Sequence, residues 1–161
     1  MAEFDISVTM TGIDELSKKL QSISYDMAKK GGRFALRKAA QVIVKAAQQK
    51  AHQIDDPATA RNIATNIVER WNGRLNKLSG DLGFRIGVKG GSRFSGKGRP
   101  VADAAGAPTP EWRAVEFGTE TTPAQAFFVP AFKANLQAAT DTFIFQYGAA
   151  LDRAIKKAAK L

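Results

Sequence analysis

The stretch RFALRKAAQVIVKAAQQKAHQ, residues 33–53, decides the fold because its apolar residues recur at helical spacing for about five turns. Additional alanines beside this stripe leave room for another helix to pack closely. The stripe and the additional alanines are Leu36, Ala40, Ile43, Ala47, Ala51, Ile54, Ala35, Ala39 and Ala46. The pattern predicts a central alanine-rich helix, with a break before it at Gly31-Gly32.

Before this helix, residues 4–10 alternate apolar and polar side chains, which is the period of a half-buried strand. Gly12 ends that pattern. Residues 13–23 then carry apolar side chains at three- and four-residue spacing and predict a short amphipathic helix.

After the central helix, Asp55-Asp56-Pro57 is typical of a helix start, and residues 58–71 are interpreted as a third helix. Residues 82–88 and 112–118 alternate in the manner of strands and are expected to form an antiparallel pair. From Phe132 to Ile155 an apolar stripe predicts a last helix of about 30 residues, roughly 45 Å long.

The expected fold class is therefore α+β, with a small antiparallel sheet packed against the central helix and the long C-terminal helix. The 161 residues and 44% hydrophobic content fit a single domain over residues 1–161. A folded chain of this size buries roughly 70% of the surface that its unfolded form exposes.

Composition argues against most enzyme classes. The chain has no cysteine and only one histidine, His52, which removes thiolate nucleophiles, common zinc sites and the usual general base. Asp55-Asp56 is interpreted as a helix cap rather than a metal pair. We expect no enzymatic activity, no metal, no cofactor and no membrane span, in a protein made in the cytoplasm.

Positive charge concentrates in one segment. The formal net charge is +9, and residues 82–102 contribute +5 of it without a single carboxylate. The same segment is rich in glycine and leads into a proline-rich stretch, which predicts a long flexible basic loop at about 89–110. Lys89, Arg93, Lys97 and Arg99 are its candidate contacts to DNA or an acidic partner. A merely solvated loop is the alternative.

Glu116 is the one carboxylate in an otherwise apolar segment, Ala114 to Gly118. No second carboxylate is placed to make it a catalytic acid, so either an inter-subunit salt bridge or a hydrogen bond to backbone is expected. The nearby aromatic run, Ala126 to Pro130, fits the core and a subunit anchor equally well.

Two segments carry a family resemblance. Val115-Glu116-Phe117-Gly118-Thr119 is followed by Pro123-Ala124-Gln125-Ala126-Phe127-Phe128-Val129-Pro130-Ala131 and a long helix. Together with the N-terminal Gly12-Ile13-Asp14-Glu15-Leu16, this order resembles the small tail-completion or head–tail joining proteins of siphophages. The resemblance spans nearly the whole chain.

The resemblance implies a structural subunit of the virion that forms a homo-oligomeric ring in the neck, or at the head-proximal end of the tail, around the DNA channel. Its implied partners are the tail terminator, tail tube and head-completion proteins, after assembly in the host cytoplasm. The alternative is a non-specific nucleic-acid-binding protein. The expected subunit interface comprises Glu116, Phe117, Gly118, Thr119, Phe127, Phe128 and Pro130.

Overall fold

A computed structural model describes residues 8–54, 62–90 and 109–160 of the chain. Two long helices dominate these residues, and short helices and strands lie between them. In chain order the elements are α1 (Ile13–Leu20), α2 (Tyr25–Gln53), α3 (Ile63–Asn66), β1 (Ile67–Trp71), α4 (Gly73–Ser79), β2 (Phe84–Val88), α5 (Trp112–Phe117) and α6 (Phe128–Ala158). The α+β class and the long C-terminal helix are confirmed.

The chain divides into two compact units. Unit 1 comprises Met1–Val42, Arg70–Arg85 and Asn135–Leu161, and unit 2 comprises Ile43–Glu69 and Ile86–Ala134. The single domain expected over residues 1–161 stays a prediction.

Helix α2 begins at Tyr25, so the break predicted at Gly31-Gly32 is wrong. A Cβ built on Gly31 would lie 3.2 Å from the Ala150 Cβ and 3.4 Å from the ring of Tyr147. The glycine therefore provides space for neighbouring side chains within unit 1. Glycine costs about 1 kcal/mol relative to alanine inside a helix, and the close packing offsets this cost.

Helix α6 has 31 residues, close to the predicted 30. It begins at Phe128, four residues before the first apolar residue of the predicted stripe. In unit 1, its Leu151 is fully buried. Its Asp152 forms an ion pair with Lys19, with 2.9 Å between Oδ1 and Nζ. Lys19 also pairs with Glu15 at 2.7 Å, so one ammonium group links α1 to α6.

The sheet consists of β1 and β2, which pair antiparallel. Asn72 N–H donates to the Gly83 carbonyl oxygen at 2.9 Å, and Lys89 N–H donates to the Asn66 carbonyl oxygen at 2.9 Å. Because the residue number falls on one strand as it rises on the other, the strands run in opposite directions.

Two sequence predictions about the sheet were therefore wrong. Residues 67–71 form a strand, not the end of a helix, because Ile67, Val68 and Trp71 are β-branched or aromatic residues that suit a pleated surface. Residues 112–117 form α5, not a strand. Trp112, Val115 and Glu116 recur at helical spacing and face the core, which the alternating pattern concealed.

The strand predicted over residues 4–10 falls partly outside the described residues. Its described end, residues 8–10, has no regular secondary structure. Thr9 instead pairs with one side chain: its N–H donates to Gln137 Oε1 at 3.0 Å, and its carbonyl accepts from Gln137 Nε2 at 2.8 Å. The amide of Gln137 thus satisfies the backbone groups that a neighbouring strand would satisfy.

The core of unit 2 forms around the second half of α2. Its buried members are Val44, Ala47, Ala51, Ile63, Ala64, Ile67, Phe127 and Ala131. Two of these, Ala47 and Ala51, come from the alanine-rich stripe that the sequence places on one face of the central helix. Their small side chains bring the start of α6 close enough for Phe127 to be fully buried.

Candidate functional site

Glu116 lies in the last turn of α5, with only 3% of its surface exposed. Its carboxylate accepts three backbone hydrogen bonds. Oε2 accepts from the N–H groups of Phe127 at 2.9 Å and Phe128 at 2.8 Å, and Oε1 accepts from Val129 N–H at 2.8 Å. One side chain therefore holds the first turn of α6.

The start of α6 is left with no unsatisfied donor. The first N–H groups of a helix have no partner within the helix. Glu116 satisfies Phe128 and Val129, Pro130 has no N–H, and Ala131 N–H donates to the Phe127 carbonyl oxygen at 3.4 Å. The negative charge also lies at the positive end of the helix dipole.

Of the two alternatives for Glu116, the hydrogen bond to backbone is the one present. Both carboxylate oxygens already accept bonds within the chain, and the group is enclosed. A contact between subunits involving Glu116 stays a prediction. Any such contact would depend on the segment that Glu116 holds, because the carboxylate itself is hidden.

The segment between α5 and α6 is an exposed turn with many internal bonds. Gly118 adopts φ 76° and ψ 177°, a conformation nearly restricted to glycine. Thr119 Oγ1 accepts from the N–H of Thr121 at 3.4 Å and of Thr122 at 3.0 Å, and Gln125 N–H donates to the Val115 carbonyl oxygen at 2.8 Å. The turn is therefore accessible, and hydrogen bonds within the segment and to α5 fix its conformation.

The aromatic residues of the expected interface separate into two groups. Phe127 is fully buried in the core of unit 2, and Phe128 packs edge-on against it with 6.5 Å between ring centroids. Phe117 is 68% exposed. For Phe127, the interpretation of the aromatic run as part of the core is therefore the one that applies. Phe117, which lies beside the turn and outside that run, is an accessible apolar side chain.

The basic loop is described only at its two ends. Lys89 is exposed, and its carbonyl oxygen accepts from Thr109 N–H at 3.1 Å. Arg93, Lys97 and Arg99 lie outside the described residues. The bond between Lys89 and Thr109 joins the two described ends of the loop.

Glu116 lies within the part of the chain that matches a known protein family. The family model described as "Bacteriophage HK97-gp10, putative tail-component" matches residues 14–118. The chain belongs to this family. Neither a curated protein nor a solved structure matches the chain significantly.

Membership in the HK97-gp10-like family supports a structural protein of the bacteriophage tail and a place in the virion. It also favours a non-enzymatic role with other tail proteins as partners. The matched range runs from α1 through α5 and ends at Gly118, so it includes Glu116 and excludes α6.

Sequence reasoning missed a buried polar pair at the base of the basic loop of this tail component. Asn66 and Thr109 are almost fully buried, and Asn66 Nδ2 donates to Thr109 Oγ1 at 3.5 Å and to the Asn62 carbonyl oxygen at 3.4 Å. Polar residues flanking an apolar strand are the only signal that the sequence offers. The pair holds the returning chain against the start of β1.

Metal and membrane signatures can be assessed for the described part of the chain. Within residues 8–54, 62–90 and 109–160, no three His, Asp or Glu side chains gather as a metal site would require. Over the same ranges, no helix is both long and apolar enough to cross a bilayer.

Proposed function

We propose that this tail component is a tail-completion or head–tail connector protein that forms a homo-oligomeric ring around the DNA channel. The ring would lie at the head-proximal end of the tail or in the neck. What supports this proposal is the exposed turn after α5, which Glu116 and Gly118 hold in one shape beside the exposed side chain of Phe117. Preformed, accessible segments with an apolar anchor suit repeated contacts between identical subunits.

In this proposal the neighbouring subunit contacts Phe117, Gly118 and Thr119, and the aromatic core behind the turn keeps them in place. Phe128 and Pro130, both half-buried, would complete this contact surface. The adjoining partners would be a tail terminator, the tail tube or a head-completion protein. Assembly would take place in the host cytoplasm before the virion is complete.

The decisive experiment is deletion of the gene from the phage, with the lysate imaged by negative-stain microscopy. We expect unjoined heads and tails, or tails with an abnormal proximal end. Supplying the wild-type protein from a plasmid should restore joined particles. Normal infectious particles without the protein would refute the assembly role and favour the alternative, a non-specific nucleic-acid-binding protein.

The basic loop would then face the DNA or an acidic neighbouring ring. Replacing Lys89, Arg93, Lys97 and Arg99 with serine should weaken DNA binding and flatten its dependence on salt, because each lost phosphate contact removes about one released counterion. Unchanged binding would leave the loop as a solvated segment without a role in contact.

A further inference from the structure

Charge is distributed unequally between the two units of the fold. Unit 1 contains 15 basic and 8 acidic residues, a net charge of +7, whereas unit 2, which includes the basic loop, contains 9 basic and 7 acidic residues, a net charge of +2. The loop's cations are therefore largely balanced by other residues of their own unit. Most of the excess positive charge belongs to unit 1.

Within unit 1, a cleft of about 210 Å³ lies between α2, Trp71 and the segment around α4. Lys29, Lys30 and Arg33 line it, and Asp26 is the only carboxylate among its described lining residues. None of these three cations forms an ion pair with any residue in the described ranges. With three cations against one carboxylate, the described lining of the cleft therefore carries a net positive charge.

An aromatic platform orients one of these cations. The Arg33 guanidinium stacks over the ring of Trp71, with 4.3 Å from Cζ to the ring centroid. Trp71 is itself held edge-to-face by Phe84, with 5.4 Å between centroids. Stacking occupies the face of the guanidinium and leaves its N–H edges free, which is the geometry for two parallel hydrogen bonds to an anion.

We propose that this cleft binds the phosphodiester backbone of nucleic acid through Lys29, Lys30 and Arg33. A duplex presents one negative charge per about 1.7 Å of its axis. Such a row of charges can contact all three clustered cations at once, whereas an isolated carboxylate could not. The contact requires no base recognition, because all three groups are phosphate-type donors. The site shares no residue with the basic loop, and the binding does not depend on ring formation.

The test measures binding of the full chain to a short labelled DNA duplex by fluorescence anisotropy between about 50 and 200 mM salt. The variant carries Lys29→Ser, Lys30→Ser and Arg33→Ser. The matched control carries Lys156→Ser, Lys157→Ser and Lys160→Ser, which removes the same charge from exposed positions of unit 1 outside the cleft. We expect the cleft variant to lose at least tenfold in affinity and to show a clearly flatter salt slope, with a much smaller loss in the control.

A second variant, Arg33→Lys, keeps the charge but removes the planar stacked group. We expect severalfold weaker binding with a nearly unchanged salt slope. Equal losses in the cleft variant and its control, wild-type affinity in Arg33→Lys, or no binding by the wild type would each overturn the proposal. So would competition by polyglutamate as effective as that by unlabelled DNA, which would indicate an acidic polypeptide as the ligand.

The serine variant of the basic loop separates this site from the loop contact. We expect it to lose less DNA affinity than the cleft variant does. If it abolishes binding while the cleft variant binds normally, the cleft proposal is wrong and the loop contact is supported. Head–tail joining is measured in infected cells and not by anisotropy, so failure of the assembly role would be distinguishable from failure of the cleft.

Discussion

At the scale of single residues, Glu116 makes the most specific prediction. Glu116→Gln keeps the size of the side chain but replaces one accepting oxygen with a donating amide, which faces backbone N–H groups. We expect the free energy of unfolding to fall by about 1–3 kcal/mol, since a buried donor loses its partner. Urea unfolding would measure the loss, and the amides of Phe128 and Val129 should exchange faster.

Glu120→Gln is the matched control for this change. Glu120 carries the same charge in the adjacent turn but is exposed, so its substitution should alter stability by less than about 0.5 kcal/mol. Equal effects of the two substitutions would show that the three hydrogen bonds of Glu116 contribute nothing beyond a charge.

Tyr147 predicts a dependence of stability on alkaline pH. Its O–H donates to the Ala28 carbonyl oxygen at 3.2 Å, and burial raises the pKa of Tyr147 above its ordinary value of 10.0. The unfolded chain loses this proton first as the pH rises. The stabilisation is therefore complete below pH 10.0 and is lost as pH rises through the folded pKa.

Tyr147→Phe tests this sign. Below pH 10.0 the variant should be less stable than the wild type, by about 1 kcal/mol for the lost hydrogen bond. Above it, the difference should shrink. Lys19, whose pKa is raised by Glu15 and Asp152, is present in both proteins, so its titration cancels in the comparison. A difference independent of pH would contradict the assignment.

Glu116 also shows how far sequence reasoning reaches at this scale. Its isolation in an apolar segment was visible, and so was the expectation of a hydrogen bond to backbone. Its three partners, 11 to 13 residues further on, were not visible, because they meet Glu116 only when α5 forms and the turn at Gly118 reverses the chain. Asn66 and Thr109 were missed for the same reason, at a separation of 43 residues.

At the scale of elements, Gly118 decides whether the turn after α5 can form. Alanine there would take a φ of 76° that L-residues rarely adopt, and its Cβ would lie 2.9 Å from the Ala124 nitrogen and 3.1 Å from the Thr122 oxygen. Both atoms are backbone and cannot rotate away. We expect Gly118→Ala to destabilise the protein by about 2 kcal/mol or more in thermal or urea unfolding.

Gly87→Ala is the corresponding control in β2. A Cβ built there meets no atom within 4 Å, and the residue has no positive φ. We expect a change within about 1 kcal/mol in either direction, because alanine restricts the unfolded chain and offsets the small cost of an added methyl group. Similar losses in both variants would indicate that the conformation of Gly118 is not what the turn requires.

The elements that the sequence predicted well are the long ones, in which the apolar pattern repeats many times. α2 and α6 present their apolar stripes over many turns, so the helical pattern is unambiguous. β1 and α5 have 5 and 6 residues, and over so short a span an alternating pattern and a helical pattern overlap. In both, contacts with distant residues of the core select the conformation.

At the scale of the whole molecule, the location of charge depends on how the chain is divided. Along the sequence, the largest excess lies in residues 82–102. In the fold, residues 29–33 and 71–82 meet at one cleft, and the segments that make up unit 1 carry +7 of the total +9. Counting along the chain could not reveal this, because unit 1 is assembled from three separate segments.

The interface proposed for assembly predicts different consequences for two exposed phenylalanines. Phe117 is 68% exposed beside the turn in unit 2, and Phe145 is 71% exposed on α6 in unit 1. Serine at either position should leave the melting temperature nearly unchanged, since an exposed ring contributes little to folding. If the turn contacts the neighbouring subunit, Phe117→Ser should lower complementation of the gene deletion at least tenfold.

Phe145→Ser should complement as well as the wild type, because the proposed interface does not include it. Apolar anchors at the centre of an interface carry much of its binding energy, and their loss reduces association without unfolding the subunit. Full complementation by Phe117→Ser would place the subunit contact away from the turn after α5. If both variants fail equally to complement the deletion while their melting curves stay intact, both apolar surfaces take part in binding. The segment that Glu116 holds would then not be the specific subunit contact.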